Sequence, residues 1–449
     1  MQFKLTKKYL NTLRKAIKAN NEKLVVEHLK ELHPPDIAEI FNELDLEDSK
    51  YLYKLLGEDE AGKVLVELEE DVREKFLASL TSKEIAEQFI DNMPSDDAAD
   101  VIGELPDNVQ DEVLSHIEDT EQASDIAGLL TYDENTAGGL MATELIRVHV
   151  DKNVLECVRE MRRQAEYVQN VYAVYVIDND DKLLGLLSLK KLLIAPVGSQ
   201  IKDIYNPEII SVKTDTPAEE AAKIMEKYDL VVLPVVDGSG KLVGRITIDD
   251  MVDVIREEAD KDIQMMAGIS EKVESTDKVW ILSRARLPWL MVGFLGEIVN
   301  SRLIGSYDWQ LNIHPEMAFF MPLIAAMGGN VGVQSSSIVV QGLANNSFTV
   351  DRVFPKLLKE FGVGLINGLI CASLILGFNL LLHVSFELSM TVSLALLSVI
   401  LFASIFGTSV PLILKKMNFD PALATGPFIT TVNDILAMFL YFSIGMLMF

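Results

Sequence analysis

The sequence predicts a multidomain chain, α and α/β in a soluble part and all-α in a membrane part. Three observations carry this. Charge is divided unevenly: residues 1–270 hold 56 acidic and 30 basic side chains, while residues 271–449 hold 11 and 10. A β-rich pattern occurs twice between residues 136 and 255, at a shift of 59 residues. The last third contains charge-free runs of 34, 22 and 27 residues at 317–350, 361–382 and 388–414, and a membrane span needs about 20 mostly apolar residues. The expected order is a helical superhelix at 1–130, a duplicated α/β module at 131–248, an acidic connecting (plug) helix at 249–270 and five transmembrane helices at 271–449.

The first 130 residues read as short amphipathic helices in series. HPPDIAEIFNEL, EDEAGKVLVEL, SKEIAEQFIDNM and SDDAADVIGEL each have Pro, Ser or an acid near the start, as a first helical turn favours, and then place apolar residues at helical spacing. The net charge of −27 argues against a nucleic-acid backbone as partner and favours cations. Cys157 and Cys371 are the two cysteines and lie far apart, so neither a disulfide framework nor a thiolate metal site is expected. The opening MQFKLTKKYLNTLRKAIKANNEK has no apolar core of signal-peptide type. The soluble part is therefore expected in the cytoplasm.

In the duplicated region, VYAVYVIDNDDKLLGLLSLKKLL (171–193) repeats as LVVLPVVDGSGKLVGRITIDDMV (230–252). Asp178 falls on Asp237, Gly185 on Gly244 and Ser188 on Thr247, and the helical patterns VLECVREMRRQ and PAEEAAKIMEKY precede the two copies. This resembles a tandem pair of CBS domains, a Bateman module. Thr247 and Asp250 resemble the CBS hydroxyl–acid pair that holds a ribose. The first copy keeps Ser188 but has Lys191 in place of the acid. ATP or another adenine nucleotide is thus one expected ligand; the other reading is a pair that only dimerises and presents acids. After the second copy, Met251, Val252, Ile255 and Ala259 are expected on one face of the connecting helix.

Five spans are expected: about 287–305, with Glu297 inside it, then 317–350, 361–382, 388–414 and 421–449. The N-terminus is inside and the C-terminus outside. Arg284, Arg286, Arg352, Lys356, Lys359, Lys415 and Lys416 fall on the cytoplasmic side, against Asp351, Glu360 and Asp420 in the same loops. The outer loops at 302–316 and 383–387 offer only Arg302, as the positive-inside rule requires.

Two features of the spans could carry chemistry. Asp434 is the one charge in the last span, and a carboxylate at the centre of a membrane helix costs about 2.5–3.5 kcal/mol on insertion scales. It must face protein or water, and TGPFITTVND before it is polar, with Gly426 and Pro427 able to free carbonyls. The second feature is PLIAAMGGNVGVQSSSIVVQG (322–342). Its Gly328, Gly329 and Gly332 allow close packing, and Asn330, Gln334, Ser335, Ser336 and Ser337 add dipoles. One carboxylate with many neutral oxygens suits a largely hydrated hard divalent ion, Mg2+ or Ca2+, without choosing between them.

P-x-L-x-x-x-x-G-G-N-x-G-x-Q from Pro322, DPALATGP (420–427) and TTVND ending at Asp434 resemble the membrane domain of MgtE-type magnesium transporters, and the domain order matches too. The resemblance implies a homodimeric Mg2+ channel-like transporter of the cell membrane, with a pore on the dimer axis lined by Asp434 of each chain. Asn330, Gly328, Gly329 and Gln334 are its further candidate pathway residues. The candidate regulatory Mg2+ ligands are Asp96, Asp100, Glu219, Asp229, Asp249, Asp250, Asp253, Glu257, Glu258, Asp262 and Asp420. By the resemblance, cytosolic Mg2+ bridges these acids and closes the pore, and scarce Mg2+ lets them repel. Lys63 and Lys261 depart from the acids expected there. No enzyme, nucleic-acid or obligate protein partner is implied. The competing readings are a membrane-anchored nucleotide or divalent-ion sensor that signals to a partner, and an anion channel, which the lack of basic residues within the spans disfavours.

Overall fold

The computed structural model describes residues 3–165, 168, 170–273, 277–344, 353–424 and 426–449. Asp351, Arg352 and Thr425 of the motifs above lie outside them. The chain divides into two units, Met1–Ile255 and Arg256–Phe449.

The first unit opens with ten helices among the described residues: α1 (Lys7–Lys18), α2 (Glu22–Leu29), α3 (Pro34–Asn42), α4 (Leu46–Tyr53), α5 (Glu58–Val66), α6 (Glu70–Leu77), α7 (Ser82–Gln88), α8 (Ser95–Gly103), α9 (Asp107–Leu114) and α10 (Thr120–Leu129). Local chemistry sets several starts. Thr6, Asn21, Asp45, Thr81 and Asp119 cap first turns with side-chain oxygens, and Thr81 forms a capping box with Glu84. The apolar faces meet around Phe76, which packs edge-on against Phe41, Tyr53 and Phe89.

The α/β part holds two copies of one plan. β1 (Ile146–His149), α11 (Val154–Gln164), β2 (Val174–Ile177), β3 (Leu183–Leu187) and α12 (Leu189–Ile194) form the first. β4 (Val212–Lys213), α13 (Ala218–Lys227), β5 (Val232–Val236), β6 (Leu242–Thr247) and α14 (Ile248–Met266) form the second. Each sheet pairs its first two strands in parallel and the last two antiparallel. The aligned aspartates do the same work: Asp178 Oδ1 accepts from the amides of Asp180 and Lys182, and Asp237 Oδ1 from those of Ser239 and Lys241. Those bonds, with the Ser239 hydroxyl on Asp237, hold both carboxyls below the usual range. The two hairpins also exchange bonds, Leu183 N to Gly240 O and Leu242 N to Asp181 O, each 3.1 Å.

The segment before β1 ties the helical part to the second copy. Ala137 N donates to Thr216 O and Gly138 N to Thr214 O, while Ala142 and Arg245 exchange backbone bonds at 2.9 Å. One apolar core runs from Leu13, Phe41 and Ile102 through Met141 to Leu233, Ile246 and Met251. The first copy keeps a core of its own around Val148, Val174 and Val176. The expected apolar face of the connecting helix is only partly used: Met251 is buried, whereas Val252, Ile255 and Ala259 are exposed. The core takes Met251 from the first turn of this helix and half-buried Val254 beside it.

The second unit contains α15 (Val279–Ser306), α16 (Asp308–Ile313), α17 (Met321–Ala344), α18 (Val353–Leu381), α19 (Phe386–Lys416) and α20 (Gly426–Met448). Among the described residues five helical segments are long and apolar enough to cross a membrane: Val279–Ser306, Pro315–Leu343, Val353–Leu381, Phe386–Lys416 and Gly426–Met448. The first starts well before the expected residue 287. It ends at Ser306, close to the expected end at 305, with Arg302 in its last turns at the edge of the expected outer loop. The last starts at Gly426, after a tight turn at Pro421–Ala424 whose Ala422 amide donates to Asp420 Oδ1 at 2.8 Å. α19 is the central helix and packs on α17, α18 and α20. Its buried Ser389, Thr391 and Ser393 donate to carbonyls one turn back, so these hydroxyls need no water.

Candidate ion sites

Ser95, fully buried at the start of α8, fixes the acids of the first unit. Its N and Oγ donate to the two carboxylate oxygens of Glu144, and its Oγ accepts from Thr143 N. The α8 amino end thus receives a carboxylate, as its dipole favours. Asp96, Asp97 and Asp100 follow on the same helix and face acids of α14.

The electrostatics report this crowding. Loss of water, then the Asp97 and Asp250 charges, hold Asp96 well above the usual carboxylate range. Loss of water, then Asp250 and Asp249, push Asp97 up to about 6. Asp100 keeps an open face to solvent, yet protein crowding, then Asp97 and Asp250, push it up to about 7 against the opposing pull of Arg73. Burial raises Asp250, and burial with the Asp253 charge raises Glu67. Arg73 is itself engaged by Glu104 and by the carbonyls of Val66 and Leu68. A cluster of this kind is relieved by protons or by cations. Among the described residues no three His, Cys, Asp or Glu groups are arranged to hold a metal alone.

The structure brings together Asp96, Asp100, Asp249, Asp250 and Asp253 of the expected set. It adds Asp97, Glu67, Glu134 and Glu144, which the sequence reading missed. Asp97 could have been found from its i, i+3 spacing to Asp100; the glutamates arrive through tertiary contacts. Glu219 instead pairs with Lys223 on its own helix, and Asp229 sits exposed in the turn after α13 at φ 51°. In the second unit Glu257 pairs with Lys272 at 2.9 Å and Glu258 with Lys261 at 3.1 Å. Asp262 is half-buried on α14.

The nucleotide candidates are locally engaged. Thr247 donates from N and Oγ1 to Asp250 Oδ2, at 3.2 and 2.7 Å. Ser188 Oγ accepts from the Lys191 amide. Asp250 is thus both the acid of the hydroxyl–acid pair and a member of the acidic cluster.

In the second unit Asp434 is half-buried on α20. Gly329 of α17 lies beside it: a Cβ there would sit 3.5 Å from Asp434 Oδ1, an ordinary contact, and 3.2 Å from Thr430 Cγ2, a tight one. On the other side Asp434 is within hydrogen-bonding reach of Glu297 of α15. Glu297 Oε2 accepts from Asn300 Nδ2 at 3.2 Å. Helices α15 and α20 touch because Gly296 has no side chain: a Cβ there would fall 1.8 Å from Thr431 Cγ2. Gly328 is buried and lies against Val399 and Ala437. Asn330 and Gln334 share the face of α17 that the rest of the chain leaves uncovered, with Ala326 and Ile338. The sequence assigns no site role to Glu297 or Asn300.

Five spans with paired carboxylates between the first and the last, carried with an acidic soluble part, define a multi-pass cation transport protein. Family models agree in order along the chain: MgtE intracellular N domain at 32–135, CBS domain at 137–198 and 201–257, and MgtE, divalent cation transporter, at 321–444. The chain is 31% identical over 447 residues to the magnesium transporter MgtE of Thermus thermophilus, covering 97% of this chain and 98% of that one. It is 29% identical over 417 residues to MgtE of Bacillus subtilis, covering 93% and 92%. A crystal structure of the cytosolic domain of the Mg2+ channel MgtE in complex with ATP is similar at a TM-score of 0.51 and 33% identity, over 55% of this chain and 99% of that one. The chain belongs to the MgtE family. It is a multi-pass membrane protein with a soluble cytosolic part, and its family is one of transporters, not enzymes.

Proposed function

We propose that the protein is a Mg2+-selective, channel-like transporter of the cell membrane that works as a homodimer and is closed by cytosolic Mg2+. The observation that carries the transport reading is Asp434, a carboxylate inside the last span set against Gly329 and Glu297. A charge there is costly unless it serves an ion, and Mg2+ is commonly held through one or two carboxylates while keeping several waters. The full-length relatives that the chain resembles are named magnesium transporters. The uncovered Asn330–Gln334 face of α17 suits a pathway completed by a second copy.

Regulation follows from the α8–α14 acids. Mg2+ that bridges them favours the compact soluble part, and the compact state closes the pore. This is a population shift by a ligand that prefers one state. A change from 1:99 to 99:1 takes about 5.5 kcal/mol of differential binding, which several weak bridging sites can supply together. An adenine nucleotide at Thr247, Asp250 and Ser188 is a second ligand of the same part, supported by the ATP complex of the similar cytosolic domain. Because Asp250 serves both places, nucleotide and bridging Mg2+ act on one carboxylate.

The test is single-channel recording from inside-out patches, with bath Mg2+ stepped from micromolar to about 10 mM, a range that spans millimolar-affinity carboxylate sites. Mg2+ currents that close as bath Mg2+ rises support both parts. Currents indifferent to bath Mg2+ keep the pathway and remove the sensor. Absence of current leaves the membrane-anchored sensor as the better reading.

A further inference from the structure

Glu297 is an anomaly. It is exposed on the surface of the single chain, yet it lies within a membrane span whose neighbours Phe294, Leu295, Ile298 and Val299 are apolar and equally exposed. Facing lipid would be costly. It borders a groove of about 620 Å³ along α15, lined also by Phe294, Ile298, Ser301, Arg302 and Gly305. Arg302 does not answer it: five residues on, it projects about 140° away around the helix, and among the described residues no ion pair joins the two.

Two further facts point inward. Glu297 is within hydrogen-bonding reach of Asp434, so carboxylates from two different spans bring their oxygens to one place. Asn300, one turn on, is only 6% exposed; its Nδ2 is bonded to Glu297, and among the described residues its Oδ1 has no hydrogen-bond partner. A buried amide oxygen without a partner is expensive, and an ion or its water shell would satisfy it.

We propose that Glu297 is a second ligating carboxylate of the cation pathway, with Asn300 Oδ1 as a neutral oxygen of the same site, and that the pair with Asp434 selects divalent over monovalent ions. The inference rests on the transport reading above and assigns the selectivity of that site. One divalent ion neutralises both carboxylates, whereas one Na+ leaves a charge uncompensated beside an apolar wall. Hard oxygen donors of this kind suit Mg2+, Ca2+ and Mn2+ and give no advantage to soft metals.

The experiment compares full-length wild type, Glu297→Gln, Glu297→Asp and Asp434→Asn in planar bilayers, reading the block of Na+ current by Mg2+ and the Mg2+/Na+ permeability ratio. Glu297→Gln should need at least about 10- to 100-fold more Mg2+ for block, the loss that even an outer-shell partner of a metal typically gives. It should still pass Na+, which shows that the pore has formed. Glu297→Asp keeps the charge and should hold block closer to wild type. Glu297→Gln with wild-type block and ratio, while Asp434→Asn loses both, overturns the proposal and leaves the transport reading standing. Wild-type behaviour in Glu297→Gln and Asp434→Asn alike overturns both.

Discussion

Ser95 grips Glu144 at two points, its backbone N and its Oγ each donating to a different carboxylate oxygen at 2.9 Å. This joint sets where the next residues, Asp96 and Asp97, come to rest. Ser95→Ala removes one of the two bonds and leaves a half-satisfied carboxylate, a loss of about 1–3 kcal/mol for a buried group. The variant should melt several degrees lower in saturating Mg2+ and need more Mg2+ to reach its plateau. Scanning calorimetry at several Mg2+ concentrations reads both, and an unchanged melting temperature would remove the joint from the account.

Asp250 carries repulsion for α8 and accepts from Thr247. Asparagine preserves an acceptor for Thr247 and deletes the charge. Asp250→Asn should therefore stabilise the protein in EDTA by about 1 kcal/mol, the order of one lost like-charge contact at about 4 Å screened as in bulk water. The gain from adding Mg2+ should shrink by a similar amount. Equal Mg2+ stabilisation in variant and wild type would show that the ion sits elsewhere.

Acid should imitate the ion. Asp97 and Asp100 titrate in the folded state near 6 and 7, above the ordinary 3.8. Groups raised on folding favour the folded state fully below their unfolded value, and that contribution is lost as pH rises through the folded values. In EDTA the melting temperature of the soluble part should thus fall between pH 5 and pH 8. Mg2+ needs the deprotonated acids, so its stabilising effect should be largest near pH 8 and small near pH 5. Asp178 and Asp237 are lowered instead, and their contribution is lost only in stronger acid, outside this window. A melting temperature that rises with pH in EDTA would contradict the assignment.

On the connecting helix, lysines already occupy two of the expected ion-binding acids, Glu257 and Glu258. Exposed pairs of this kind contribute about 0–1 kcal/mol, so Lys261→Gln and Lys272→Gln should barely alter melting. Together they add two uncompensated negative charges, so half-closure in patch recordings should come at a lower cytosolic Mg2+. Half-closure at the wild-type concentration would assign these lysines to the surface alone.

The repeat was readable residue by residue because hairpin turns are local: Asp178 and Asp237 bond their own following amides, and spacing alone reveals that. Asp96 and Asp100 could be read as one helix face for the same reason. Glu67, Glu134 and Glu144 could not, since each reaches the cluster through a contact far along the chain. Glu297 was visible as a flaw in a weak span, but its meaning depends on Asp434, a partner from the opposite end of the membrane part. Neither Gly296 nor Thr431 carries a signal alone; only their contact explains why the first and fifth spans meet.

The bond from Leu183 to Gly240 has a mirror in the bond from Leu242 to Asp181. Such reciprocity is the signature of an isologous interface, so the two CBS copies are a symmetric dimer sewn into one chain. The connection between them, residues 195–211, makes their association intramolecular and independent of protein concentration. Fusion also frees the copies from being identical. One half has kept the acid of its hydroxyl–acid pair and taken the helical domain into its core, while the other holds Lys191 and a core of its own. A symmetric ancestor could not have made that division of labour; a tethered one can lose symmetry in its chemistry while keeping it in its backbone.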